Sequence, residues 1–290
     1  MLRIANNPTL KGLSVIRPGI VYSTTMGQEL TLDLLLPQTP EGDTQSRFPL
    51  VVFIQGSGWH FPDVTYEIPQ LARLSMEGYV VATVTHRNIE EGHPAPAFLK
   101  DVKTAVRYLR AHAQEYHIDG ERVYAFGTSS GGNTSLLLGL TGDMEEFRTE
   151  EYGDMSDHVD AVIDCFGPTD LTARMKGKDG TYLPGTVELF SLFCGGTLDE
   201  ELLARMSPIT YVTPGKKYVP FLIAHGDADD VVDFSQSENM VRRLEECGAD
   251  VSLVCVEGAE HEETFWSRQI WDIFLNFLNK QSGLDRQPGR

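Results

Sequence analysis

The chain has 290 residues, 41% hydrophobic and 23% charged, a size and composition that suit one soluble domain. Its 42 acidic against 24 basic residues leave a formal charge of −18, which argues against a nucleic-acid partner because phosphates would be repelled. No apolar run approaches the roughly 20 residues of a membrane span, and Asn6, Asn7 and Pro8 interrupt any N-terminal export signal, so a cytoplasmic location without a membrane partner is expected.

Two β-type runs open the chain, at 19–23 and 30–36, with a hairpin turn expected at Met26-Gly27-Gln28. After a polar loop at 37–49 comes Leu50 to Ile54, a continuous apolar run of the kind found in strands covered on both faces. It ends in a glycine loop, Gln55-Gly56-Ser57-Gly58-Trp59. A helix over 68–77, closed by Gly78, precedes a strand at 79–85. The next helix, 98–110, places Phe98, Val102, Ala105, Val106 and Leu109 on one face.

The strand Val123 to Phe126 runs into Gly127-Thr128-Ser129-Ser130-Gly131-Gly132, and a helix follows through Leu140. A further strand at 159–166 ends at Gly167-Pro168-Thr169-Asp170. The segment 172–219 is irregular, with helical hints at 187–193 and 200–205, and is expected to sit over a site as a loop or lid. Phe221 to Ala224 is the next strand, Ser235-Gln236-Ser237-Glu238 reads as a capping box opening a helix, and 251–256 is the last strand. Trp266, Ile270, Phe274 and Phe277 are expected along one face of a final helix, followed by a frayed tail. Strands alternating with helices imply a mostly parallel α/β sheet with helices on both faces, formed as one domain over 1–290. Ligands of such sheets sit beyond the carboxyl ends of the strands.

The chemistry concentrates at those ends. G-x-S-x-G between a strand and a helix is a nucleophile elbow, with Ser129 at its apex. A serine hydroxyl needs a base to take its proton, and the base needs a carboxylate to fix its tautomer. Both follow in the chain, one after each of the last two strands: the run His225-Gly226-Asp227-Ala228-Asp229-Asp230, and His261. His225 reads as a structural hydrogen-bonder, because it precedes the acid loop. Backbone N–H groups of the Gln55–Trp59 loop and of Ser130 are expected to face the developing oxyanion.

The four cysteines form no C-x-x-C pair and read as buried thiols. The acidic run Asp227, Asp229, Asp230, Asp233 lacks the turn glycine and terminal glutamate of an EF-hand, so neither a metal nor a cofactor is expected.

Taken together, Gln55–Trp59, Gly127–Gly132, Gly167–Asp170, Ser207–Val212, His225–Val232 and Gly258–His261 resemble, in order, motifs of an α/β-hydrolase esterase. The group is that of bacterial carboxylesterases, acetyl esterases and feruloyl esterases, related to hormone-sensitive lipase and prolyl oligopeptidase-like esterases. The resemblance implies Ser129 as nucleophile, Asp229 as acid, His261 as base, and Ser57, Gly58 and Ser130 as oxyanion donors. It departs from the family at Gln55, where histidine is usual, and at Ser57, where glycine is. The implied activity is hydrolysis of a small-molecule ester with a short acyl or compact aromatic acid, through an acyl-enzyme, with Trp59, His60 and Phe61 forming one wall of the substrate site. A peptidase of the same fold and a non-catalytic binding protein are the alternatives, and a homodimer is left open.

Overall fold

The run Leu50–Ile54 lies at the middle of the sheet because both of its faces are apolar. Leu50, Val52 and Ile54 enter one core cluster, while Val51 and Phe53 enter the other on the opposite side. The computed structural model describes residues 1–24, 27–174, 181 and 185–284. Met26 of the expected hairpin turn, residues 175–180 and 182–184 of the long segment, and the tail from 285 lie outside the described residues.

The strands are β1 (Ser14–Ser23), β2 (Leu30–Pro37), β3 (Phe48–Ile54), β4 (Val80–Val84), β5 (Ile118–Thr128), β6 (Ala161–Cys165), β7 (Phe221–Gly226) and β8 (Val251–Val256). They form one sheet in the order β1-β2-β4-β3-β5-β6-β7-β8. β2 runs antiparallel to both of its neighbours, and every pairing from β4 through β8 is parallel.

The helices are α1 (Ile68–Met76), α2 (Ala97–Ala111), α3 (Ser130–Leu140), α4 (Leu171–Arg174), α5 (Thr186–Phe193), α6 (Glu200–Arg205), α7 (Ser235–Glu246) and α8 (Arg268–Ser282). α2, α3 and α7 contribute buried side chains to one cluster, and α1 and α8 to the other. The sheet is therefore covered on both sides, as the alternation of elements requires. Among the described residues no helix is long and apolar enough to cross a membrane.

Parallel register aligns the strand ends. Gly127 pairs with Ile54 on one side and Asp164 on the other, Cys165 pairs with Ala224, and Gly226 with Val256. The loops after β3, β5, β6, β7 and β8 consequently emerge along one edge, where the candidate residues lie.

Three local expectations are corrected. Ser235 is the first residue of α7 rather than its cap, because Asp233 Oδ1 accepts the Ser235 N–H in a turn ahead of the helix. Trp266 precedes α8, whose cap is Ser267, and the buried face is Ile270, Trp271, Phe274, Leu275 and Leu278, with Phe277 only half-buried. All four cysteines are free thiols, yet only Cys165 is fully buried and Cys255 is exposed.

Candidate active site

Ser129 joins β5 to α3 with φ 49° and ψ −120°, a left-handed conformation unusual for a residue with a side chain. The turn closes because its flanking residues lack side chains. A Cβ on Gly127 would lie 2.1 Å from Gly131 O, and one on Gly131 would lie 1.9 Å from Ile54 O. The Ser129 N–H donates to Cys165 O at 2.9 Å, which ties the elbow to the end of β6.

Ser129 Oγ lies 3.1 Å from His261 Nε2, and His261 Nδ1 lies 2.6 Å from Asp229 Oδ2. Three residues spread over 132 positions of sequence thus form one line at the strand ends. The Nδ1–carboxylate bond places a proton on Nδ1 and leaves Nε2 free to accept one from the serine. The Asp229 side chain is fully buried, whereas His261 keeps 12% of its side chain exposed. Phe166, the residue after β6, sets its ring 4.7 Å from the imidazole in an edge-to-face arrangement.

Asp229 is held on all sides. Oδ1 accepts the N–H groups of Val231 and Val232, each at 2.8 Å. Oδ2 receives His261 and also His225 Nε2, at 3.1 Å. Burial opposes the charge, but the hydrogen bonds from His225, His261 and the Val232 N–H overcome it and hold the carboxyl well below the usual carboxylate range. His225 is itself fully buried, with Nε2 2.9 Å from Val232 O and Nδ1 2.7 Å from Ser237 Oγ. Two acceptors at Nε2 require the proton there, so Nδ1 accepts from Ser237. The residue that the sequence reads as a structural hydrogen-bonder thus holds the Asp229 carboxylate in place. Its place four residues before Asp229, on the same turn, was the available signal.

The neighbouring acids do other work. Asp227 Oδ1 accepts the Gly258 N–H at 2.5 Å and pins the acid loop to the loop that carries His261. Asp230 is exposed. Asp164 lies fully buried below the elbow, where its Oδ1 accepts the Gly167 N–H at 3.1 Å and Oδ2 has no partner among the described residues. Burial pushes its carboxyl up to about 7, although His225 and the Gly167 N–H pull the other way. Among the described residues no group of three or more His, Cys, Asp or Glu side chains is arranged to hold a metal ion.

The glycine loop after β3 lies directly against the elbow. A Cβ on Gly56 would sit 2.7 Å from Ser129 Cβ, so the loop backbone reaches the candidate nucleophile. The Gly56 N–H donates to Thr128 Oγ1 at 2.8 Å. Of the three expected oxyanion donors, the backbone N–H groups of Gly58 and Ser130 have no acceptor among the described residues. The Ser57 N–H is not free: it donates to the Ser130 hydroxyl at 2.9 Å. Gln55 Oε1 accepts the Asp63 N–H at 2.9 Å, so this side chain braces the loop from behind.

The expected substrate wall is corrected at Trp59. Left-handed φ values of 61° at Gly58 and 63° at Trp59 turn the chain inward. The indole is 1% exposed and packs on Phe98 of α2 and on Phe190 and Phe193 of α5, the last at 4.7 Å between ring centroids. It is a core residue that anchors the loop. Phe61 does face solvent, at 57% exposure, and His60 is half-exposed with Nδ1 3.1 Å from Glu90 Oε1. The expected helical hints in the long segment correspond to α5 and α6, and α5 carries the aromatic pair that meets Trp59.

Comparison with known proteins places this geometry in a family. The chain is 29% identical over 217 residues to Esterase LipC of Mycobacterium tuberculosis, covering 73% of this chain and 52% of LipC. It is 25% identical over 263 residues to a probable isoprenylcysteine alpha-carbonyl methylesterase, ICMEL1 of Arabidopsis thaliana, covering 86% and 52%. The chain thus spans about half the length of the curated relatives it matches. Among solved structures, a truncated form of a carbohydrate esterase from gut microbiota superposes with TM-score 0.81 at 27% identity, covering 96% of this chain and all of that one. The fold is that of the α/β-hydrolases. The BD-FAE family model matches residues 32–244, most of the sheet and the whole of the elbow, and the chain belongs to that family.

Proposed function

We propose that this chain hydrolyses carboxylic esters through an acyl-enzyme formed on Ser129. The observation that carries the reading is the single line from Asp229 through His261 to Ser129 Oγ, at 2.6 and 3.1 Å, with a strained serine at its end. Ser129 Oγ attacks the ester carbonyl carbon while its proton passes to His261 Nε2. The imidazolium is stabilised by Asp229, and the carbonyl oxygen, now an anion, is met by the N–H groups of Gly58 and Ser130. Collapse of the adduct breaks the bond to the alcohol oxygen, which takes the proton from Nε2. A water molecule then repeats the sequence on the acyl-serine and frees the acid. The names of the relatives, an esterase and a methylesterase, agree with this chemistry.

For the substrate, the proposal is a short or compact acyl group, acetyl or hydroxycinnamoyl, carried on a carbohydrate alcohol. Trp59, Phe98, Phe190 and Phe193 pack against one another beneath the loop after β3, and this filled core supports the reading of a compact acyl group. The carbohydrate esterase similarity favours a sugar alcohol. Turnover of p-nitrophenyl acetate, with a Ser129→Ala control, tests the reaction class. A series of p-nitrophenyl esters of rising chain length, beside acetylated sugars and hydroxycinnamate esters, tests the substrate. Rates that climb with acyl length along the straight-chain series would contradict the short-acyl reading.

A further inference from the structure

The engagement of Ser57 leaves a question of charge stabilisation that the backbone alone does not answer. Ser130 is the first residue of α3, and its side chain is almost wholly buried. A side chain in the first helical turn leans back toward the helix N-terminus, the same space into which the unpaired N–H groups point. There its Oγ accepts the Ser57 N–H at 2.9 Å. The hydroxyl still has a proton to give, and among the described residues nothing accepts it. Two other hydroxyls around the loop are turned to carbonyls, Ser57 Oγ to His60 O at 2.7 Å and Thr134 Oγ1 to Ser130 O at 2.9 Å, while Thr128 Oγ1 accepts the Gly56 N–H one residue before the nucleophile.

We propose that the Ser130 hydroxyl is a third oxyanion donor, standing between the Ser57 N–H and the anionic oxygen and passing that hydrogen bond on. A hydroxyl that accepts from an N–H is polarised and donates more strongly, so the relay strengthens the contact with the anion. In the ground state its proton has only a carbonyl oxygen or water to meet, and the interaction grows as charge develops on that oxygen. The Ser57 N–H thereby acts at one remove. Ser130 itself contributes twice, through its backbone N–H and through its side chain.

The inference rests on Ser129 as the nucleophile, and it makes a prediction whose sign is informative. If the hydroxyl only occupied the Ser57 N–H, its removal would release a backbone donor, and Ser130→Ala would match or exceed the wild type. If the hydroxyl donates, Ser130→Ala lowers kcat by about 10²-fold with little change in KM. Ser130→Cys, with a weaker donor, falls between the two. The test measures kcat and KM for an aryl ester and for its thionoester, in which C=S replaces C=O, together with Tm for each variant.

Sulfur accepts hydrogen bonds poorly, so loss of an oxyanion donor penalises the oxygen ester more and narrows the preference between the pair. A lower kcat with a narrowed oxygen-over-sulfur preference is the expected result. Unchanged or faster turnover by Ser130→Ala overturns the inference, as does an equal loss on both esters, which marks a structural effect. Labelling of the wild type by an organophosphorus ester separates the two levels. Absence of label on Ser129 removes the nucleophile and the inference together, whereas a labelled Ser129 with an unaffected Ser130→Ala removes the inference alone.

Discussion

Among the described residues, two of the buried networks of ionisable side chains differ in how they end. Under α2, Lys103 and Arg107 bind the two oxygens of Asp157 at 2.6 and 3.0 Å, and none of the three side chains has any exposure. Arg148 adds a longer contact at 3.3 Å, and Lys103 also donates to Thr141 O at 2.6 Å. Through Arg148 that cluster reaches the half-exposed Asp143 at 2.8 Å, and it is closed in the sense that each of its charged groups meets a partner within the protein. At the carboxyl edge of the sheet, Asp229 is equally buried, but its network leaves through His261 toward Ser129, which is held at positive φ. Burial and charge are common to both, so neither marks a reactive site. What separates them is an end left free to meet something else. The closed network is expected to govern stability and the open one turnover.

The largest effect should come from the open end. Ser129→Ala is expected to lower kcat/KM on p-nitrophenyl acetate by at least about 10⁴-fold, with Tm little changed. A fall in Tm with activity retained would reverse the roles assigned to the two networks.

The next substitution asks which aspartate belongs to the open network. Asp229→Asn should lower kcat by about 10⁴-fold, because an amide supports the wrong imidazole tautomer and cannot balance an imidazolium. Asp230 is exposed, and Asp230→Asn should stay within about tenfold of wild type. Kinetics of the two variants side by side decide the assignment, and an inactive Asp230→Asn beside an active Asp229→Asn would move it by one residue.

The closed network is tested by Asp157→Ala, which strands two buried cations and should cost about 3–5 kcal/mol in chemical denaturation. Activity per folded molecule should remain at the wild-type level. A milder change is expected for His225→Gln, which removes one donor from Asp229 while leaving His261 in place. A hydrogen bond to a charged group is worth about 1.5–3 kcal/mol, so kcat should fall by about 10- to 10²-fold. Unchanged kcat would mean that the Val231 and Val232 N–H groups suffice to orient the acid.

The smallest effect concerns Asp164, which belongs to neither network. Its folded carboxyl is raised by burial from 3.8 to about 7, so the folded protein keeps a proton that the unfolded chain has released. This group therefore makes stability fall as pH rises from 3.8 to about 7 and adds no further pH dependence above that. Asp164→Asn has no such proton to hold. The Tm difference between variant and wild type should shift in favour of the variant across that window, as thermal melts at pH of about 4, 6 and 8 would read. A flat difference would show that Asp164 ionises as readily in the fold as outside it.

Much of this arrangement is legible in the sequence, and the reason is local. Buried parallel strands are short apolar runs bounded by glycine, proline and polar residues, and each candidate residue follows such a run directly. Strand ends alone therefore bring Ser129, the run Asp227–Asp230 and His261 together, and the choice of Asp229 within that run rests on the family resemblance. Where several elements pack on one residue, the sequence says less. Trp59 looks like part of an open loop until α2 and α5 close over it with Phe98, Phe190 and Phe193. The start of β1 is hidden because Val15 and Ile16 are exposed apolar residues on an edge strand, which breaks the alternation of inward and outward positions. The Ser57–Ser130 bond joins residues 73 positions apart and depends on a side-chain rotation that no motif records. His225 is visible in the sequence, but its bond to Asp229 depends on how the loop after β7 folds back.

The central claim is that the open network reacts at Ser129. Its most direct test is a rapid-quench experiment with excess p-nitrophenyl acetate, with mass spectrometry of the peptide that contains Ser129. The account predicts a burst of p-nitrophenol approaching one equivalent per chain when deacylation is slow, an acetyl group on Ser129, and neither in Ser129→Ala. Steady turnover that persists in Ser129→Ala, with no acyl group on Ser129 of the wild type, would contradict it.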